Sequence, residues 1–189
     1  MQLKKIPLLH VKEAYKKLLG ARANWNFYTD IPELEIIAGP LQVEWNKRVK
    51  EEIRVFDIWK RFNPAIPFRN LRNSPPSSRK FQVEINIGEL FELGYEKWIP
   101  ITILIPLNYP KSWPSIGDPR SDDEFFKLLR NWTHNHPFCM PPILRAWWTN
   151  YRGRAGIAHF LQAFLIFITI AGRKSHKKDK KWIINIDVF

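Results

Sequence analysis

One thiol is the only soft nucleophile this chain offers. Cys139 is the single cysteine in 189 residues, and a thiol transfers acyl groups only as its thiolate, so the neighbours that tune it matter more than its presence. His134, Asn135, His136 and Arg145 lie close to it in sequence and are the side chains able to raise the thiolate fraction or to hold the oxyanion of a tetrahedral intermediate. Pro137, Pro141 and Pro142 keep the stretch around the thiol extended, where a bulky acyl donor can approach. The competing account is burial, because free Cys is among the most buried residue types.

Other chemistries fit less well. His134, His136 and Cys139 are nitrogen and sulfur donors of the kind zinc accepts, but no fourth ligand lies nearby and no CxxC pair accompanies them. Neither a Gly-x-Ser-x-Gly elbow nor a Gly-rich phosphate loop occurs, so serine hydrolysis and phosphate cradling find no support.

The elements that must position the thiol can be read from apolar period. Leu8, Val11, Tyr15 and Leu18 recur at helical spacing after Pro7 and before Gly20, which predicts an amphipathic first helix with Lys12, Lys16 and Lys17 on its polar side. Leu34 to Ile37 and Leu41 to Trp45 read as short β-prone runs hinged at Gly39-Pro40, and Val49 to Trp59 settles on neither period. Residues 63–78 hold Pro64, Pro67, Pro75 and Pro76 among Asn, Ser and Arg and read as an exposed loop. Phe81, Val83, Ile85 and Ile87 alternate with polar residues as a half-buried strand does. Trp98 to Leu107 supplies a second strand after a turn near Gly94, giving a hairpin. Asp122 to Arg130 reads as a short helix behind Ser121, Gly153 to Ala171 as a long buried one, and Trp182 to Phe189 as a terminal strand.

Length and composition bound the rest. One domain over residues 1–189 is expected, with its best-supported core over 81–171 and a basic tail over 173–181. The formal charge of +12 implies acidic partners. The nine Trp and thirteen Phe are expected mostly in the core. The apolar run Gly156 to Gly172 carries His159 and Gln162 and is too short for a bilayer. With no leader pattern after Met1 and no pair of cysteines, the chain reads as cytoplasmic.

A strand, Tyr109-Pro110, Pro114, His136-Pro137, Cys139 and Trp147, followed by a long apolar helix, resemble in that order the core of the ubiquitin-conjugating (E2, UBC-fold) family. Trp113 stands where the family has the first of two paired prolines, Phe138 where it has the Asn of His-Pro-Asn, and Lys111 where it has Phe. The resemblance, to a divergent prokaryotic or archaeal member, implies an α+β fold. Its parts would be an N-terminal helix, an antiparallel β-meander, an irregular active-site segment and a buried C-terminal helix. It further implies an acyl transferase that carries a ubiquitin-like modifier as a thioester on Cys139 and passes it to an amine. His136 and Asn135 would assist catalysis, and no cofactor would be bound. The implied partners are the modifier, an ATP-using E1-like enzyme that meets Lys12, Lys16 and Lys17, and a ligase or acceptor, with Trp113 as a further partner contact. Two alternatives stay beside it: a non-catalytic E2-variant or RWD-like interaction module, and a basic nucleic-acid binder, which lacks any reader motif.

Overall fold

The computed structural model describes residues 5–6, 31–34, 42–90, 94–117, 148–151 and 153–165. The fold is α+β. Its centre is a four-stranded antiparallel sheet of β3 (Phe68–Asn73), β4 (Lys80–Asn86), β5 (Trp98–Leu104) and β6 (Ser115–Gly117), ordered in space as in sequence. A long helix, α1 (Gln42–Phe62), precedes it, and helical residues 148–151 and 157–165 come after it. A separate pair, β1 (Lys5–Ile6) and β2 (Ile31–Pro32), is antiparallel.

The hairpin over Lys80–Asn86 and Trp98–Leu104 has the expected alternation: Phe81, Val83 and Ile85 face the core, as do Ile99, Ile101 and Ile103, while Lys80, Pro100 and Leu104 are exposed. Asn86 closes it. Its Oδ1 accepts the N–H groups of Gly88 and Lys97, at 3.1 Å each, so one side chain ties both ends of the connection that includes the single turn α2 (Ile87–Leu90). Gly94, with φ of 78°, completes that connection in the left-handed region.

Two expectations change. The 63–78 stretch is no loop throughout, because β3 lies inside it: the prolines flank the strand rather than interrupt it. Period-two reading misses β3 because the register shifts between Arg69 and Arg72, where Asn70 has φ of 58°. That bulge returns Leu71 to the core side only three residues after Phe68. The second correction concerns Leu41 to Trp45 and the undecided Val49 to Trp59. Residues 42–62 form one helix, whose buried residues include Trp45, Arg48, Glu52, Val55, Phe56 and Trp59. Two of those positions are charged, so the helical period is invisible to any count of apolar residues. Helix α1 also lays Val55, Phe56 and Trp59 into the hydrophobic core.

Asn63 and Pro64 stop α1: Asn63 Nδ2 bonds the carbonyl of Trp59 at 3.0 Å, and Lys60 Nζ reaches the carbonyls of Pro64 and Ile66 at 2.7 and 2.9 Å. The expected buried helix is helical over 157–165, and every residue there is buried. The expected helices at 7–20 and 122–130 and the strand at 182–189 lie outside the described residues. No described helix is long and apolar enough to cross a membrane.

A Cβ at Gly88 would overlap the backbone carbonyl of Tyr95 across the hairpin connection. Gly88→Ala should therefore cost about 1–3 kcal/mol, the usual range for overpacking. Urea unfolding followed by tryptophan fluorescence measures it, and an unchanged midpoint would refute the close approach.

Candidate functional site

Helix α1 delivers Arg48 and Glu52 one turn apart to the interior, where both are 0% exposed. Arg48 Nε donates to Glu52 Oε1 at 2.7 Å. Two charges buried together need further partners, and the surrounding backbone supplies them. Arg48 Nη1 donates to the carbonyl of Gly153 at 2.8 Å and Nη2 to that of Ala155 at 2.9 Å. Glu52 Oε2 accepts the N–H of Ile157 at 2.6 Å, the first helical residue of 157–165. The cation thus takes the carbonyls of a tight reversal, and the anion takes an amide at a helix N-terminus, the polarity each end of a helix favours.

Tyr109 is the third member. Its hydroxyl donates to Glu52 Oε1 and accepts from Arg48 Nη2 at 3.3 Å. Burial first, and then the Glu52 charge, hold its pKa well above the ordinary value, so it stays a neutral donor. Burial works against the Arg48 charge, but Tyr109 and Glu52 overcome it and the pKa ends above its ordinary value.

Two glycines make room. Gly153 has φ of 88°, in the left-handed region that reverses the chain after residues 148–151. Gly156 lies against the carboxylate itself: a Cβ there would overlap Glu52 Oε2. The N–H of Gly156 is accepted by His159 Nδ1 at 3.0 Å, a histidine in the role that Glu or Gln fills in a capping box.

Aromatic contacts fix the Tyr-Pro turn to the helical residues beyond β6. Trp148 Nε1 donates to the carbonyl of Pro110 at 2.9 Å. The Trp113 ring meets Trp148 and Phe160 edge-on, each at 5.0 Å between centroids. Trp45 packs edge-on to Tyr109 at 6.2 Å and carries the Arg79 guanidinium over its face at 4.7 Å. Trp113, expected to meet a partner, is partly buried in this packing, while Lys111 and Leu107 on the same turn are exposed.

Cys139, His136 and Asn135, with Lys12, Lys16 and Lys17, lie outside the described residues, as do His134 and Arg145. Their flanks are described: β6 ends at Gly117, and Trp148 resumes the chain in contact with Trp113. Sequence reading missed Arg48, Glu52, Gly156 and His159. The available signal was the four-residue spacing of Arg48 and Glu52 between Trp45 and Val55, which completes a helical stripe once charge is allowed inside. Among the described residues no cluster of His, Cys, Asp and Glu could hold a metal ion. No protein-family model matches the chain, and no curated protein does.

Burial, with a smaller contribution from the Arg48 charge, pushes His159 from 6.5 down to about 3, against a backbone hydrogen bond at Ile31 that favours the charged form. Between those values the unfolded chain binds a proton that the folded chain refuses. Stability from this residue is therefore complete above pH 6.5 and declines as pH falls toward about 3, by at most ~1.4 kcal/mol per pH unit. His159→Gln keeps an acceptor for Gly156 and has no proton to bind, so it should flatten that part of the profile of melting temperature against pH. An equally steep profile in the variant would assign the acid loss to other groups.

Proposed function

We propose that this chain is an E2-like acyl carrier that accepts a ubiquitin-like modifier as a thioester on Cys139 and passes it to an amine. The observation that carries the reading is the order of elements. Among the described residues, a helix leads into a sequential four-stranded meander, the Tyr109-Pro110 turn falls between its third and fourth strands, and the Cys-bearing stretch of the sequence lies between the fourth strand and buried helical residues. This order supports the reading, because the resemblance implies a helix, an antiparallel meander, an irregular active-site segment and a buried helix in that succession.

The chemistry starts from the thiol. Cys139 Sγ, as thiolate, attacks the carbonyl carbon of the donor thioester, the E1-like thiol leaves, and the modifier is carried by a new thioester. The acceptor amine then attacks the same carbon, loses its proton and releases the Cys139 thiolate. Asn135 and His136 are the proposed donors to the oxyanion in both steps. Phe138, in the place of the motif's Asn, favours a second reading in which the fold is kept as a non-catalytic interaction module.

Incubation with cognate E1, ATP and modifier should give a thiol-sensitive adduct, and Cys139→Ser a thiol-resistant ester or none. Asn135→Ala and His136→Ala should slow discharge to lysine by about a hundredfold, the usual loss for one oxyanion donor. A wild type that never charges removes the enzyme and leaves the interaction module.

The E1-facing surface is tested by charge. Lys12, Lys16 and Lys17 are one proposed face, but the described helix that enters the meander is α1, which exposes Lys47, Lys50 and Arg61. Rim charges act on association rate and are screened by salt. Lys12→Glu with Lys16→Glu should slow charging at low ionic strength and leave discharge unchanged. If Lys47→Glu with Lys50→Glu has that effect instead, the face belongs to α1.

A further inference from the structure

We propose that the outward face of the four-stranded sheet is a docking surface for single-stranded nucleic acid, with Arg72 and Lys80 meeting phosphates and the stacked Arg69 and Trp98 meeting a base. The surface shares no residue with the thioester chemistry and stands apart from that reading. Because Val83, Ile85, Ile99 and Ile101 turn to the core, Lys80, Gln82 and Glu84 of β4 and Trp98 of β5 turn away from it. Strand β3 adds Arg69 opposite Glu84 and Arg72 opposite Gln82. Arg69, Arg72 and Lys80 therefore stand on three successive rows of the pleat, about 7 Å apart for two residues of antiparallel strand.

Charge and ring geometry select the ligand together. The charged side chains of the four strands are Arg69, Arg72, Lys80 and Glu84, three cations against one anion. Glu84 Oε2 accepts from Arg69 Nε at 2.6 Å and from Asn70 Nδ2 at 3.1 Å, so its charge is spent on Arg69. Arg72 Nε and Nη2 donate to Gln82 Oε1 at 3.2 and 3.0 Å, a neutral acceptor that orients the guanidinium without cancelling its charge. Lys80 is exposed beside it. The Arg69 guanidinium lies over the Trp98 ring at 4.0 Å, and Trp98 Nε1 donates to Glu96 Oε2 at 3.1 Å, so the half-buried indole is fixed from two sides. Guanidinium planes and indoles are both platforms on which bases stack. An acidic peptide would use the cations and leave this stack without a role. The net charge of +12 draws a polyanion toward the face, and the stack beside two cations chooses one that carries bases.

Fluorescence anisotropy of a labelled oligothymidylate of about twelve nucleotides, titrated with the full chain between about 50 and 200 mM salt, tests the surface. Arg72→Glu with Lys80→Glu should weaken binding about tenfold or more and lower the slope of log affinity against log salt by about 1.4, two phosphate contacts at about 0.7 each. Lys47→Glu with Lys50→Glu makes the same change of charge on α1 and should weaken binding by less than about threefold. Trp98→Leu should cost about tenfold and leave the salt slope as it is, since stacking releases no counterions. Arg72 and Lys80 are exposed, so their reversal carries the test if Trp98→Leu does not fold. Equal losses from the sheet and α1 reversals would overturn the proposal, because diffuse attraction gives that result. A natively folded Trp98→Leu variant with wild-type affinity would overturn it as well, as would the absence of binding at the lowest salt. Labelled poly-glutamate of matching charge that binds as tightly as the oligonucleotide would give the face to an acidic peptide instead.

Discussion

A guanidinium and a carboxylate taken out of water cost several kcal/mol per ion, and the interior of this protein accepts that cost because Arg48 and Glu52 are both met by backbone. Remove either and the other is left as an unpaired buried charge, facing carbonyls or an amide that have lost their own partner. The reversal from Gly153 to Gly156 could not be buried without the pair, because its carbonyls of Gly153 and Ala155 and the leading amide of the next helix would be orphaned. The pair in turn could not be buried without that reversal. This mutual dependence holds α1, the Tyr-Pro turn and the helical residues 157–165 in one arrangement.

Around the ion pair the aromatic residues do a different job. Trp45, Tyr109, Trp148, Trp113 and Phe160 meet in succession at 5.0 to 6.2 Å, mostly edge-on. Edge contacts between large rings combine area removed from water with a preferred angle. Trp45, Trp59, Trp113 and Trp148 thus serve the interior and the sheet-to-helix joint, Arg79 over Trp45 extends the joint toward solvent, and Trp98 lies half-buried under the Arg69 guanidinium. Phe62 and Leu107 are the described apolar side chains left most exposed, at 73% and 76%.

The functional proposal draws on both layers. A thioester carrier has to present a thiol at a site large enough for an acyl protein and yet fix the attacking atom, which asks for an irregular segment between rigid anchors. Among the described residues, β6 pairs with β5, and Trp148 donates to the carbonyl of Pro110 at 2.9 Å.

The sequence by itself determined the hairpin over Lys80–Asn86 and Trp98–Leu104 and the buried helical run around Phe160 and Phe164, because both are written in local apolar period and turn chemistry. It also determined that any cysteine chemistry belongs to Cys139, since the chain has one thiol. It could not disclose α1, whose inward stripe is interrupted by Arg48 and Glu52, charges that only a partner from 153–157 makes admissible inside. It could not disclose β3, whose bulge at Asn70 breaks the two-residue period and becomes visible only once β4 lies beside it. His159 and Gly156 likewise read as incidental in a run of apolar residues. Tertiary structure alone decided that one accepts the N–H of the other and that the lack of a Cβ at Gly156 lets Glu52 reach the helix. For Arg48, Glu52 and Gly156 the physical reason is the same: a buried polar residue is specified by the distant group that satisfies it, and local pattern carries no trace of that group.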